Sequence, residues 1–174
     1  MQVKAIDTHY SGHYFRSRLE ARWAVYFDRL GIKWMYEFDG YKLASGNYLP
    51  DFYLPDHDLF CEVKPPTYKI HDDKRWVDLV EIHKKPLMLL NDIPSLNSFD
   101  TIVTVRDLKS DEFFGKTDCN YLFCDGVIMP SVSKYFPVFY GEYVSKYDYS
   151  YKYEKDTLEN LMYSASVFAN SYRF

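Results

Sequence analysis

The sequence has little of what several common protein classes require. It holds three cysteines, Cys61, Cys119 and Cys124, an odd number without metal-ligand spacing. That argues against a disulfide-stapled scaffold and predicts free thiols in a reducing cytoplasm. A basic excess is missing too: 21 Lys and Arg stand against 25 Asp and Glu, a formal net charge of −4. A protein that coats nucleic acid through bulk positive charge is therefore not expected, and any DNA-binding surface must be local. No apolar run reaches transmembrane length, and the opening Met1-Gln2-Val3-Lys4-Ala5-Ile6-Asp7 lacks a long apolar stretch, so neither a membrane span nor a signal peptide is expected. The residue patterns of P-loop, Rossmann and serine-triad chemistry are absent. So are internal repeats and linkers, which leaves one domain over residues 1–174.

What the chain does have is aromatic side chains. At 20%, with 18 Tyr and 13 Phe, they are unusually frequent; such rings stack on bases as readily as they fill cores, and core packing is the default reading for most of them. Periodicity organises the rest. Phe15, Leu19, Trp23, Tyr26 and Leu30 step by four, four, three and four, the stripe of a helix over 15–30, with Gly31 as C-cap. Residues 33–38, 48–54 and 59–64 read as strands. A second helix runs from Asp72-Asp73 to about His83, with Trp76, Leu79 and Val80 inward. Residues 86–90 and 101–105 read as further strands. This α-β-β-β-α-β order, over a core of about 9–105, suits an α/β domain with a central mixed sheet and helices on both faces. In the C-terminal part, about 118–174, a hairpin is expected across Asp125-Gly126, from 121–124 to 127–129. Seven tyrosines follow in 134–153, interleaved with Lys134, Lys146 and Lys152, and 156–170 reads as a closing helix with Leu158, Leu161, Met162, Ala165 and Phe168 on its apolar side.

The chemistry-bearing pattern lies in the middle strands. Pro50-Asp51 is followed, after a Pro55-Asp56-His57-Asp58 turn cluster, by Glu62-Val63-Lys64. Side chains alternate along a strand, so Glu62 and Lys64 share a face, and a hairpin brings Asp51 near them. Two carboxylates beside one ammonium suit a hard divalent cation with a lysine placed to act on a water. The plain alternative is an ordinary ion pair on an exposed strand, with Asp51 a turn residue.

These residues resemble the PD-(D/E)XK nuclease superfamily, including the Pro before the Asp. Upstream, Phe15-Arg16-Ser17-Arg18-Leu19-Glu20-Ala21-Arg22-Trp23-Ala24 and Gly31-Ile32-Lys33-Trp34-Met35-Tyr36-Glu37 are similar to the opening helix and first strand of its small phage and mobile-element members. The same stretch resembles phage endonuclease I type junction resolvases. The likeness covers roughly residues 9–65. It implies a restriction-endonuclease-like fold and hydrolysis of DNA phosphodiesters with Mg²⁺, or Mn²⁺ in its place. It also implies Asp51, Glu62 and the Val63 carbonyl as metal ligands, Glu20 as a further ligand through water, and Lys64 acting on the attacking water. Branched-DNA resolution is one alternative, although those resolvases are basic and dimeric as a group. A non-catalytic nucleic-acid- or partner-binding module is another, and a homodimer stays open.

Arg16 and Arg18 are placed to meet phosphates, as Arg22 would be. The competing account is a solvated helix face with Arg16 pairing Glu20 one turn on. Glu37 matches an acidic position of the resolvases, against simple solvation at a strand edge. His9 and His13 are spaced as on one helix turn, but lack a third ligand for zinc. The Tyr-rich stretch suits either a core edge or a stacking platform.

Overall fold

The computed structural model describes residues 5–65, 74–95, 99–103, 121–124, 127–130 and 152–174. A hairpin opens it, β1 (Thr8–Tyr10) against β2 (His13–Phe15), turned by Ser11 and Gly12, both at positive φ. Two such residues form the primed turn whose twist matches the strands, and Gly12 supplies one at no steric cost. His9 and His13 therefore lie on paired strands, not on one helix turn. His9 sits across from Tyr14, and the His13 ring packs 5.0 Å from that of Trp34.

Helix α1 (Arg18–Arg29) begins three residues later than its apolar stripe suggests. Ser17 is in extended conformation and caps it, its Oγ accepting from the Glu20 N–H at 3.1 Å. Phe15 stays in the core from the strand side, and Arg16 lies outside the helix. Gly31, at φ 68°, follows the C-cap Leu30 and releases the chain.

Strands β3 (Met35–Tyr36), β4 (Tyr41–Leu43), β5 (Gly46–Tyr48) and β6 (Phe52–Leu54) come next. The strand expected over 33–38 shrinks to two residues because Glu37 turns at φ 45°. That expected over 48–54 divides at Leu49-Pro50-Asp51, since Pro50 has no N–H to give a ladder. A 3₁₀ turn (Pro55–His57) leads to β7 (Leu59–Lys64), which has the expected bounds. Helix α2 (Arg75–His83), β8 (Leu87–Asn91) and β9 (Phe99–Val103) follow. The α2 cap expected at Asp72-Asp73 lies outside the described residues. Farther on, β10 (Tyr121–Cys124) pairs antiparallel with β11 (Val127–Pro130), as expected, and α3 (Lys152–Ser171) closes the chain. The tyrosines from 135 to 151 lie outside the described residues.

The result is a mixed α/β fold. Its main sheet has the order β3-β6-β7-β8-β9, with β7 and β8 parallel and the other neighbours antiparallel. Two cores cover it. Phe52, Leu54, Leu59, Cys61, Val63, Met88 and Leu90 pack with α1 and the buried Met162, Ala165 and Ala169 of α3. Phe60, Leu87 and Leu89 alternate with them and pack with Trp76, Leu79 and Val80 of α2 and with the β4–β5 hairpin. On the expected apolar side of α3, Met162 and Ala165 are buried, Phe168 is exposed and lies under the Arg29 guanidinium, and the side chains of Leu158 and Leu161 lie outside the described residues. No described helix is long and apolar enough to cross a membrane.

Candidate active site at the β6–β7 hairpin

Phe52 pairs with Cys61 in the antiparallel ladder, which puts Asp51 and Glu62 at the next opposing position. Opposing residues project to the same face, so the hairpin brings both carboxylates together. Lys64, two residues past Glu62, is on that face as well. The same face of β7 begins with the buried Phe60, so Glu62 and Lys64 continue an apolar row rather than an exposed one. Asp51 is 4% exposed and Glu62 5%. These are not surface charges.

Asp51 Oδ2 accepts the Val63 backbone N–H at 2.7 Å, and Oδ1 accepts from Arg16 Nη2 at 2.9 Å. A strand residue presents its N–H and C=O to the same neighbour, so the Val63 carbonyl faces the Asp51 side. Burial raises the Asp51 pKa well above the usual carboxylate range. The negative charges of Glu62 and Glu20 add to that, against the Val63 N–H and Lys64. Glu62 Oε1 is paired with Lys64 Nζ. Glu62 Oε2 is buried without a hydrogen-bond partner.

Glu20 is buried at the start of α1, with both oxygens engaged. Oε1 accepts from Ser17 Oγ at 2.7 Å and Oε2 from Tyr36 Oη at 2.6 Å. Burial and this bond to Glu20 raise the Tyr36 pKa. Glu20 thus pins the helix start to β3 while its charge still reaches Asp51. Tyr36 and Ser17 are site neighbours that the sequence reading did not single out. Ser17 was visible in it, because Ser-x-x-Glu before an apolar run is a helix-start signature. Tyr36 was not visible, since its contact spans 16 residues.

The arginines separate. Arg16 does not pair with Glu20 along a helix; its Nε lies 2.6 Å from Glu37 Oε1, a contact of charge without good hydrogen-bond alignment, and its Nη2 holds Asp51. Arg18 is exposed on the first turn of α1. Arg22 turns away, donating from Nη1 to the Ala169 carbonyl at 2.8 Å and to that of Asn170, so it caps α3 and is not available for phosphate. A further polar residue enters from β8: Asn91 is in parallel register with Lys64, on the same face, and the Asp92 N–H donates to the Lys64 carbonyl at 3.0 Å.

Among the described residues, no three His, Cys, Asp or Glu side chains are gathered closely enough to hold a metal ion as they stand. Each carboxylate is engaged with its own donor instead. An open groove of about 610 Å³ elsewhere, lined by Pro94, Tyr163, Val167 and Asn170 among others, contains none of these residues. Compared with models of known families, with curated proteins and with solved structures, the chain matches none.

Proposed function

We propose that the protein is a divalent-cation-dependent nuclease that hydrolyses DNA phosphodiester bonds on a restriction-endonuclease-like frame. One observation carries this reading. Glu62 Oε2 is a buried carboxylate oxygen without a hydrogen-bond partner, on a residue whose strand position is opposite a second buried carboxylate, Asp51, with Lys64 on the same strand. Leaving such an atom unpaired costs about 1–3 kcal/mol. A cation that both carboxylates coordinate would offset that cost, whereas a purely structural ion pair would leave it standing.

Asp51, Glu62 and the Val63 carbonyl would hold the cation, with Glu20 acting on it through water if it leaves Tyr36. Bound Mg²⁺ or Mn²⁺ supplies charge neutralisation at the phosphate and a more acidic water. The chain's own groups do the rest. Lys64, half-buried and fixed by Glu62, orients the attacking water or takes its proton. Arg18 offers an exposed guanidinium for the DNA backbone. Burial of the carboxylates keeps bulk water from screening these interactions.

A second reading, a non-catalytic module on the same frame, is favoured by Arg16: it already neutralises Asp51 in the ligand-free protein. The two readings separate on incubation with supercoiled, linear, single-stranded and four-way-junction DNA, in Mg²⁺ or EDTA. A nuclease cuts at least one substrate in Mg²⁺, not in EDTA, and Glu62→Gln abolishes cutting. Failure on every substrate, in Mn²⁺ as well, would leave the binding module.

A further inference from the structure

Asp51 has one oxygen committed to the main chain. Its Oδ2 takes the Val63 N–H, so Oδ1 is the oxygen left to face a ligand, and Arg16 Nη2 sits on it. Arg16 is an unusual occupant. Its side chain is 58% exposed although its partner is buried, so it can swing outward without unpacking the core. Its backbone is anchored separately, the N–H donating to Tyr36 Oη at 3.1 Å. Its second partner, Glu37, is held at φ 45°, a conformation that non-glycine residues seldom adopt. The Glu37 N–H donates to the Asp51 carbonyl at 3.0 Å, so this strained turn is tied to Asp51 itself. Strain kept beside a buried carboxylate points to function more than to stability.

Resting on the nuclease reading, we propose that Arg16 is a phosphate-binding residue held in reserve. In the ligand-free protein Asp51 and Glu37 store its guanidinium. A divalent cation at Asp51 and a phosphodiester at Arg16 then replace this pairing together. Oδ1 has a second lone pair, but a dication there would lie within a few ångströms of the guanidinium, in a setting that screens poorly. The two cations compete. Once displaced, the planar fork of Arg16 matches two phosphate oxygens, and Glu37 is the partner to which it returns when product leaves. Metal and DNA binding are then linked: each strengthens the other by the same factor, because each removes the arginine from the other's path.

The test is a calorimetric Mn²⁺ titration, without DNA, of the wild type, Arg16→Met and Arg18→Met. Both substitutions remove one positive charge, and Met keeps much of the aliphatic stem. Arg16→Met should bind Mn²⁺ about tenfold more tightly, while Arg18→Met should stay within about twofold of wild type, as a screened charge without a carboxylate contact would. Binding by Arg16→Met alone would support the proposal in its strongest form. If the wild type binds Mn²⁺ and Arg16→Met binds no more tightly, or both variants gain equally, the reserve role is wrong while the metal site stands. Should no variant bind Mn²⁺, the metal site and the reserve role fall together. A second readout is the affinity for a short duplex by fluorescence anisotropy, in EDTA and in Ca²⁺. The wild type should gain more from Ca²⁺ than Arg16→Met does, and an equal gain would overturn the linkage.

Discussion

Adding a divalent cation should stabilise the wild-type protein and leave Glu62→Gln almost unchanged. The substitution keeps the shape of a side chain that is 5% exposed and removes the charge that its unpaired Oε2 would offer to a cation. A ligand that binds only the folded state stabilises it by RT ln(1 + [L]/Kd). A water-rich Mg²⁺ site with Kd of about 1 mM, in about 10 mM cation, gains about 1.4 kcal/mol. For a chain of this size about 1 kcal/mol moves Tm by about 2–4 °C, so the wild type should rise by about 3–6 °C in a thermal melt. Asp51→Asn extends the same reasoning to pH. The Asp51 carboxyl is pushed up, by burial first and then by Glu62 and Glu20. It therefore holds its proton more tightly folded than in the unfolded chain, where the pKa is about 3.9. The stability it contributes is full below about pH 4 and is lost as pH rises towards and through the raised folded pKa. In EDTA, the Tm of Asp51→Asn relative to wild type should then climb as pH rises above about pH 4. Equal cation shifts in wild type and Glu62→Gln, or none in either, would refute the metal site. A flat pH difference would refute the carboxylate repulsion.

Three further outcomes follow. Lys64→Ala should retain the cation-induced Tm shift while single-turnover DNA cleavage falls about 100-fold or more, the usual size of a lost proton-transfer group; an unchanged rate would return Lys64 to a simple ion pair. Glu20→Gln should lower Tm by about 2–8 °C, because one of its two acceptor bonds, to Ser17 or Tyr36, is replaced by an amide donor at a cost of about 1–2 kcal/mol. An unchanged melt would mean that those bonds do not hold the helix start. Cys61, with its thiol pKa raised by burial and by Asp51 and Glu62, should resist iodoacetamide at about pH 8 in the folded protein and react on unfolding, read by peptide mass mapping. Rapid native alkylation would show that β7 opens far more easily than its packing implies.

The sequence by itself was decisive where the determinants are local. Strand β7 has its expected bounds because Leu59-Phe60-Cys61 is an apolar run set off by the 55–58 turn cluster. The juxtaposition of Asp51, Glu62 and Lys64 followed from a period of two and a short connection. Helix α2 and its inward Trp76, Leu79 and Val80 followed from a period of 3.6. Each signal is written within fourteen residues.

Only the tertiary structure decided which face of the sheet meets α1 and which meets α2, and hence that Glu62 and Lys64 extend a buried row. Periodicity assigns residues to faces but does not say what covers them. Arg16, Ser17 and Arg22 look alike in the sequence, as polar residues around one helix start. Ser17 caps its own helix through Glu20, but the roles of the two arginines diverge because their partners come from elsewhere: Asp51 is 35 residues away from Arg16, and Ala169 is 147 from Arg22. The β1–β2 hairpin overrode the helical stripe at Phe15, since the same side chain fills the core from a strand. Glu37 shows the limit most clearly. A left-handed turn at a glutamate is against local preference, and it is held by an N–H bond to Asp51, whose position only the assembled sheet fixes.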